Sequence, residues 1–518
     1  MKELIYPRVL LPSADRAPDK VTMIDGAYRS TQSEHIDRVS RLSHALRTEL
    51  GCASTDRFAV MALNGHQYLE CYHAAYCGAG VIAPLNLRLA AAELEYILFD
   101  SGAKVVFTDA FFAPMIDAVR AKAGVDKVVL LGEGDVPHDL AYEDLLGAAN
   151  PALPMEPDED DPVILMYTGG TTGLPKGVLL DQRAEMLNLY HAAMVWRFDP
   201  EHVFLHQTPM FHAASMGGIL GIPGVGATST FVPLFDPAAV MDVVERDGVT
   251  MTVMVPTMIG MTLAHPEFRP ERLASLRTLT YGASPMPEAL LTRILETFPE
   301  LEVFQGYGMT ESSALLTCLG PEDHRRGGDA LRSAGRPLLG ITISIQDEDG
   351  RPVPTGETGE VCARGGNFMR EYWKQPEATE EVFRGGWYHT GDAGYLDADG
   401  FLFLVDRVKD MIVTGGENVY SIEVENAIST HPAVAQVAVI GIPSDEWGEA
   451  VHAIVVPKEG ATVTEDEIRD WARRTIAGYK VPKSVEFRTE PLPLSGAMKV
   501  LKRDLRAPYW EGHDRHVG

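Results

Sequence analysis

The chain has 518 residues, of which 45% are hydrophobic and 23% are charged, and this length exceeds one compact core. We therefore expect two or more domains. The formal net charge of −28 repels nucleic acid and anionic lipid, so we expect no nucleic-acid partner, and any anionic ligand requires a local basic site.

Cysteine usage and the first residues of the chain bear on localisation. The five cysteines form neither a C-x-x-C pair nor a Cys/His metal pattern, which is typical of a reducing compartment. Prolines and charges interrupt the first twenty residues, which lack the continuous apolar segment of a signal peptide. We expect a cytoplasmic protein without a transmembrane segment.

A predicted strand, "VILMY" (163–167), leads into a loop rich in glycine and threonine, "TGGTTGLPKG" (168–177). The loop is not a P-loop, because Lys176 follows Pro175 and precedes Gly177, so the magnesium-binding Ser or Thr is missing. Its backbone N–H groups, hydroxyls and single lysine still suit a polyphosphate. Taken alone, such a loop is more often only a turn.

The segment from His202 to Phe235 contains no Asp, Glu, Lys or Arg. Its three histidines, three prolines and many glycines argue against a membrane span, because lipid would leave the backbone breaks unsatisfied. We predict buried strands and loops beside an apolar pocket. A plain protein core explains the composition equally well.

The middle of the chain has the pattern of a β-α-β unit. "LRTLTYGAS" (276–284) predicts a strand, a helix opens near Pro287, and "LEVFQ" (301–305) predicts the next strand. Ligands of open α/β sheets bind beyond the carboxyl ends of strands, so "GAS" (282–284) and "GYGMTES" (306–312) should lie together in a site.

The last hundred residues predict a small α+β unit. A helix over 421–431 precedes strands over 435–442 and 449–457, and Thr464 and Glu467 form a capping box before another helix. Between Arg469 and Arg506, ten Lys or Arg residues stand against four Asp or Glu residues. A solvated face and a phosphate-binding face explain that excess equally well.

Several segments occur together in one order along the chain. They are "YTGGTTGLPKGV" (167–178), "QGYGMTES" (305–312), "GETGEVCARG" (356–365), "YHTGD" (388–392), "DRVKDMIVTGGENVYSIEVE" (406–425) and "KVLKRDLR" (499–506). In this order and spacing the chain resembles the acyl-adenylate-forming family of acyl-CoA synthetases, luciferase-like enzymes and peptide-synthetase adenylation domains. The resemblance runs from about residue 28 to 506, and "YGASPMPEALL" (281–291) is most similar to fatty-acyl and related acyl-CoA synthetases.

The resemblance implies a large α/β domain over residues 1–407 and a small, mobile α+β lid over residues 408–518. It implies ATP-dependent activation of a carboxylic acid to acyl-AMP and then to acyl-CoA, with ATP, Mg²⁺ and CoA as substrates or cofactors. Medium- or long-chain fatty acids are the first candidates for the acid substrate, and aryl or cyclic acids are the alternatives. The alternative functions are transfer of the acyl group to a carrier protein, a luciferase-like oxidation and nucleotide-dependent regulation without catalysis. The protein could form a homodimer.

The resemblance also implies roles for individual residues around the nucleotide. Thr310 would contact the α-phosphate, Glu311 would hold Mg²⁺, and Asp392 with Arg407 would bind the ribose hydroxyls. The β- and γ-phosphates would be held by Thr168, Gly169, Gly170, Thr171, Thr172 and Lys176. The adenine would stack on Tyr307, with Gly282, Ala283, Ser284, Gln305 and Gly306 around it.

Lys499 is the implied catalytic cation. The family usually places glycine directly before this lysine, whereas "SGAMK" (495–499) inserts two residues, so Lys502 is a weaker alternative. His212 matches a position near the acyl entrance, although a core histidine is nearly as good an interpretation. The implied hinge is Lys409. The implied CoA-side residues are Gly415, Gly416 and Trp447, although an exposed structural tryptophan explains Trp447 equally well.

Overall fold

The structure, a computed structural model, describes residues 3–151, 156–168, 175–407, 410–415, 417–444, 446–496 and 498–511. Its α-helices are, in chain order, α1 (Pro7–Arg16), α2 (Gln32–Thr48), α3 (His66–Ala74), α4 (Ala91–Ser101), α5 (Ala113–Ala123), α6 (Tyr142–Ala148), α7 (Gln182–Val195), α8 (Met216–Val225), α9 (Pro237–Asp247), α10 (Pro256–Ala264), α11 (Glu288–Thr297), α12 (Pro321–Arg326), α13 (Pro376–Val382), α14 (Ser421–Ser429), α15 (Glu465–Ala472) and α16 (Lys502–Trp510). A π-helical turn (Ala75–Ala79) follows α3, and short 3₁₀ turns lie at Ala213–Ser215, Pro270–Leu273, Thr310–Ser312, Gly328–Arg332, Arg384–Gly386 and Gly478–Lys480.

The strands alternate with these helices through most of the chain. They are β1 (Val21–Asp25), β2 (Tyr28–Thr31), β3 (Arg57–Met61), β4 (Val81–Pro84), β5 (Val105–Asp109), β6 (Lys127–Leu131), β7 (Leu140–Ala141), β8 (Pro162–Thr168), β9 (Lys176–Asp181), β10 (Val203–His206), β11 (Thr228–Phe231), β12 (Met251–Met254), β13 (Thr278–Gly282), β14 (Glu302–Tyr307), β15 (Thr317–Leu319), β16 (Arg336–Pro337), β17 (Thr342–Gln346), β18 (Gly359–Arg364), β19 (Glu371–Tyr372), β20 (Tyr388–Leu396), β21 (Leu402–Arg407), β22 (Ile412–Thr414), β23 (Glu417–Val419), β24 (Val434–Ser444), β25 (Gly448–Pro457) and β26 (Ser484–Phe487).

Two large mixed sheets form the first part of the fold. One has the strand order β16-β15-β14-β13-β12-β10-β11-β1-β2, and the other has the order β19-β9-β8-β4-β3-β5-β6-β7. Their central strands are parallel. Antiparallel strands lie at both edges of the first sheet and at the β19 edge of the second, whereas β7 at its other edge is parallel to β6. Parallel strands require crossover connections, which the intervening helices supply. The predicted β-α-β unit is confirmed as β13, α11 and β14.

Two smaller sheets follow. The strands β17, β18, β20 and β21 form an antiparallel sheet, and β21 ends at Arg407. From Ile412 onward the strands β22 to β26 form a separate small sheet, in which β24 and β25 are the long antiparallel pair. The predicted small α+β unit and its capping box at Thr464 and Glu467 are confirmed. The domain boundary between residues 407 and 408 stays a prediction.

The uncharged segment 202–235 differs from its prediction. Strands β10 and β11 are present, but residues Met216–Val225 form the buried helix α8 rather than loops. The helix is stable despite its glycines because aromatic rings pack directly on them, which overrides weak helix propensity. A Cβ atom at each position would approach a ring to between 2.1 and 2.5 Å; the pairs are Gly217 with Trp196, Gly218 with Phe204 and Gly221 with Phe198. Among the helices that the structure describes, none is long and apolar enough to cross a membrane.

Buried histidines link α2, α3 and α8. His73 Nε2 lies 2.9 Å from the carbonyl oxygen of Ile219, so this nitrogen donates, and His73 Nδ1 lies 2.7 Å from His35 Nε2, which donates to it. Burial lowers the pKa of His73 to about 4. Burial, with His73 beside it, also lowers the pKa of His35. Both rings are therefore neutral at pH 7.

This pairing predicts a loss of stability in acid. An unfolded histidine has a pKa of about 6.5, so between pH 6.5 and pH 4 the unfolded chain binds a proton that folded His73 does not. The free energy of unfolding should fall by about 2 kcal/mol for this residue between pH 7 and pH 5. Urea titrations should show that His73→Gln reduces this pH dependence, whereas His138→Gln, at an exposed site, should leave it intact. An unchanged pH dependence in His73→Gln would contradict the assignment.

Candidate active site

The carboxyl ends of β13 and β14 meet at two glycines. Gly282 pairs with Gly306, and a Cβ atom on Gly282 would lie 2.2 Å from the carbonyl oxygen of Gly306, so no side chain fits there. Ala283 then turns with φ 65°. The two segments that the sequence predicted to meet, 282–284 and 306–312, therefore do meet.

Four residues assigned to the nucleotide lie at or near this edge. The Tyr307 hydroxyl donates to Asp392 Oδ2 at 2.7 Å, and Asp392 is buried. Asp392 pairs with Arg407 between strands β20 and β21. Gln305 Oε1 is buried and, within the described residues, has no hydrogen-bond partner, so it can accept from a ligand N–H group.

The loop after β14 is held in an unusual conformation. Thr310 and Glu311 begin a 3₁₀ turn, after which Ser313 and Ala314 adopt φ values of 53° and 97°. Gly308 allows this turn, since a Cβ atom there would lie 2.1 Å from the carbonyl oxygen of Ala314. Such left-handed conformations of non-glycine residues cluster at functional sites.

Tyr372 is a site residue that the sequence reasoning missed. Its hydroxyl donates to Glu311 Oε1 at 2.9 Å, and Lys176 Nζ lies 5.0 Å from the centre of its ring, within reach of a cation–π contact. This ring therefore connects the glycine loop with the proposed metal-binding carboxylate. Thr168 and Lys176 pair at the ends of β8 and β9, at the base of the loop. Gly169, Gly170, Thr171 and Thr172 lie outside the described residues.

The hairpin that carries Lys499 contacts the large domain. The Thr257 hydroxyl donates to the carbonyl oxygen of Met498 at 2.8 Å, and Arg88 donates to that of Leu494 at 2.8 Å. A Cβ atom on Gly496 would lie 2.3 Å from Asn86 Oδ1, so a larger residue there would have to displace the Asn86 side chain. Met498, directly before Lys499, has φ 61° and donates its N–H to the carbonyl oxygen of Ser495 at 2.9 Å.

His212 lies near Lys499. Its Nδ1 accepts the Ala214 N–H at 3.1 Å, so the neutral ring carries its proton on Nε2. Burial lowers the pKa of His212 to about 3, and the Lys499 ammonium acts in the same direction. His212 is therefore a neutral hydrogen-bond donor beside a cation, which suits the binding of a carboxylate.

Lys502, the alternative cation, has a structural role instead. Its Nζ lies 2.6 Å from Glu425 and 2.6 Å from the Ser421 hydroxyl, in a partly buried part of the small domain. The Glu425 carboxylate and other acidic neighbours outweigh burial and raise the pKa of Lys502.

The residues assigned to the CoA side lie in the small domain. Gly415 donates its N–H to the carbonyl oxygen of Trp447 at 2.9 Å and has φ 62°. A Cβ atom on Gly415 would lie 2.9 Å from the Trp447 ring, which is 40% exposed. Lys483 Nζ lies 5.0 Å from the centre of that ring. Gly416 and the predicted hinge Lys409 lie outside the described residues.

Contacts across long sequence separations were not predicted from the sequence. Asn86, Arg88, Thr257 and Tyr372 were not assigned any role from the sequence. Their roles depend on neighbours more than 60 residues away in the chain. A pattern based on local spacing cannot reveal such contacts.

Comparisons with known proteins agree with this geometry. The model of the AMP-binding enzyme family matches residues 11–373, and that of the AMP-binding enzyme C-terminal domain matches residues 423–499. A feruloyl-CoA synthase of an Amycolatopsis species is 39% identical over 95% of this chain and 96% of its own length. A fatty acid–[acyl-carrier-protein] ligase of Streptomyces coeruleorubidus is 35% identical over 94% of this chain and 93% of its own.

The fold is similar to that of a solved structure of the same kind. The crystal structure of ATP-bound MatB from Rhodopseudomonas palustris superposes with a TM-score of 0.88 at 29% identity. The superposition covers 99% of this chain and 100% of that chain.

Proposed function

Because the chain belongs to the AMP-binding enzyme family, we propose that it activates an apolar carboxylic acid with ATP and passes the acyl group from acyl-AMP to the thiol of CoA. The observation that carries this proposal is the docked hairpin, which brings the Lys499 ammonium close enough to act on the His212 ring. Tyr307 ends β14 and donates to Asp392, and Glu311 lies in the turn that follows β14.

The first half-reaction needs charge stabilisation rather than a protein nucleophile. A carboxylate oxygen of the acid bonds to the α-phosphorus of ATP, the bond to the bridging oxygen breaks, and pyrophosphate leaves with that electron pair. Lys499 would neutralise the charge that collects between carboxylate and phosphate. His212 would orient the acid by donating from Nε2.

The residues present fit a magnesium ion. Glu311 offers a carboxylate, and Tyr372 fixes one of its oxygens at 2.9 Å. When bound, Mg²⁺ supplies positive charge to the phosphate oxygens. Tyr372 would orient Glu311 toward that ion.

In the second half-reaction the thiolate of CoA attacks the acyl carbon, and AMP leaves. The docked hairpin occupies the position from which Lys499 acts on the first step, so we propose that the lid rotates about Lys409 between the steps. Gly415 and Trp447 would then face CoA. A carrier-protein thiol is the alternative acceptor, because one relative is a fatty acid–[acyl-carrier-protein] ligase.

Packing beside the site favours a compact acid over a long chain. The Trp196 ring lies between α8 and β14, where a Cβ atom on Gly217 would approach it to 2.5 Å and one on Gly306 to 3.6 Å. Trp196 belongs to a buried cluster that contacts Tyr307 and Met309. A nearby cavity has a volume of only about 10 Å³ and is lined by Phe204 to Thr208, Ser215 and Val253.

We therefore propose an aromatic or similarly compact apolar acid, with medium- or long-chain fatty acids as the second candidate. The feruloyl-CoA synthase at 39% identity supports the first class, and the fatty acid ligase at 35% supports the second. In this proposal Trp196 forms a wall of the acyl site and limits the length of the acid.

The products test the function. With ATP, Mg²⁺, CoA and a suitable acid, the purified protein should release AMP and pyrophosphate in equal amounts and form an acyl-CoA, as chromatography of the reaction shows. A panel of aromatic and fatty acids identifies the preferred class. Release of ADP and inorganic phosphate would refute the proposal, and AMP release without acyl-CoA would favour another acceptor.

Lys499→Ala should separate the two half-reactions. We expect ATP–pyrophosphate exchange to fall by about 10²–10³-fold, because a preorganised charge contact is lost. Thioester formation from supplied acyl-AMP should change little. Single-turnover measurements of each half-reaction provide the check.

The matched control for this variant is Lys458→Ala, which removes an exposed lysine of the same small domain. Lys502 is unsuitable as a control because it forms an ion pair with Glu425. If Lys499→Ala lowered the rates of both half-reactions equally, the assignment of Lys499 to the first half-reaction would be contradicted.

Trp196→Leu should change the preference among acids. Shortening this wall should raise kcat/KM for medium-chain fatty acids and lower it for compact aromatic acids, by about tenfold each. Phe198→Leu is the control, since Phe198 packs on Gly221 of the same helix α8 without contacting Gly306. Steady-state kinetics with both acid classes and a melting curve for each variant complete the test. An unchanged ratio of the two kcat/KM values would show that Trp196 does not bound the acyl site.

A further inference from the structure

A thiol, an imidazole and a carboxylate lie together on the antiparallel sheet that ends at Arg407. Cys362 on β18 pairs in register with His389 on β20, and Glu360 lies two residues before Cys362 on β18. Since residues two apart on a strand share a face, as do directly paired residues, the three side chains project from the same face of the sheet. Spacing along the chain did not indicate this cluster, because Cys362 and His389 are 27 residues apart.

A bulge in β20 brings the Glu360 carboxylate to the other two groups. The register shifts between Glu360, which pairs with Ala393, and Cys362, which pairs with His389, so β20 contains extra residues at this point. Within the bulge, Gly391 has φ 71° and donates its N–H to Glu360 Oε1 at 3.2 Å. This hydrogen bond holds one carboxylate oxygen and leaves Oε2 facing His389. Bulges next to functional sites redirect side chains in this way.

The three groups are spaced almost as they would be around a tetrahedral zinc ion. His389 Nδ1 lies 3.4 Å from Cys362 Sγ and 2.8 Å from Glu360 Oε2, and the sulfur, nitrogen and oxygen ligand atoms all lie within 4.8 Å of one another. Zinc bonds of about 2.3 Å to sulfur and about 2.0 Å to nitrogen and oxygen would place sulfur about 3.5 Å from nitrogen, and nitrogen about 3.3 Å from oxygen. The Glu360 oxygen would therefore withdraw from His389 by only about 0.5 Å.

We propose that Glu360, Cys362 and His389 form a zinc site, with a water molecule as the fourth ligand. A thiolate together with an imidazole selects Zn²⁺ over the hard cations Mg²⁺ and Ca²⁺. Cys362 and His389 are buried, but the Glu360 side chain is 22% exposed, so the ion and its water enter from that side. The site is separate from the Mg²⁺ that Glu311 would hold, and it does not depend on the proposed function.

The charges at the cluster suit a bound dication. Cys362 as a thiolate and Glu360 as a carboxylate together balance Zn²⁺. Burial, with Glu360 beside it, raises the pKa of the Cys362 thiol to about 12, so the ion displaces the thiol proton when it binds. Arg384 is the competing cation, since its Nη2 donates to Glu360 Oε2 at 3.0 Å. Its side chain is 51% exposed and can turn into solvent when the ion takes its place.

A bound ion would tie β18 to the bulge that leads to Asp392. The Thr390 hydroxyl donates to the carbonyl oxygen of Val361 at 2.7 Å and accepts the Asp392 N–H at 3.0 Å. Zinc on His389 would add a stronger link to the same short segment. We therefore expect Zn²⁺ to raise the melting temperature of the protein.

Titration with metal ions tests the site, using the full chain purified without a polyhistidine tag and treated with a chelator. One equivalent of Co²⁺ should produce the near-ultraviolet charge-transfer absorption of a thiolate–cobalt bond, and an excess of Zn²⁺ should abolish it. Cys362→Ser should remove this band, whereas Cys52→Ser, at another buried thiol, should keep it. Glu360→Gln should weaken Co²⁺ binding by at least the roughly 10–100-fold that loss of an outer-shell partner typically costs.

Melting curves give a second readout that does not depend on activity. Zn²⁺ should raise the melting temperature of the wild type and of Cys52→Ser, and raise that of Glu360→Gln much less at the same concentration. Absence of the thiolate band in the wild type would overturn the proposal and leave the three residues as a hydrogen-bonded group. Retention of the band in folded Cys362→Ser would also overturn it. If Cys362→Ser does not fold, equal Co²⁺ affinities of the wild type and Glu360→Gln would do so instead.

Discussion

The close approach of β13 and β14 at Gly282 and Gly306 is the constraint on which the site depends. Because no side chain lies between them, the two parallel strands stay paired up to their carboxyl ends. The loops that follow the two strands therefore begin next to each other. The adenine-side residues and the 308–315 turn then share one edge of the sheet. A side chain at Gly282 would separate the strands and with them the two halves of the site.

The mechanism that we propose also requires a movable cation. Lys499 belongs to the small domain, yet its hairpin is held on the large domain by Asn86, Arg88 and Thr257. These contacts are few and mostly polar, which suits a contact that forms and breaks in each cycle. The position of Lys499 beside His212 is therefore a property of one arrangement of the two parts.

Three buried titratable groups in this protein have pKa values shifted toward the neutral form. His73 and His212 have lowered pKa values because burial disfavours their charged forms, and Glu185 has a raised pKa for the same reason. Each neutral group can act as a hydrogen-bond donor in a place where a charge would be costly.

The sequence by itself determined the β-α-β unit, the small α+β unit and the family, because strand and helix periods, turn residues and motif order are local properties. It was wrong about residues 216–225, where packing of aromatic rings on glycines makes a helix out of a sequence with weak helix propensity. Only the tertiary structure decided that Lys502 serves an ion pair, that Tyr372 orients Glu311 and that Trp196 stands behind Gly306. Those roles depend on which distant side chains become neighbours when the chain folds, and spacing along the chain does not encode that.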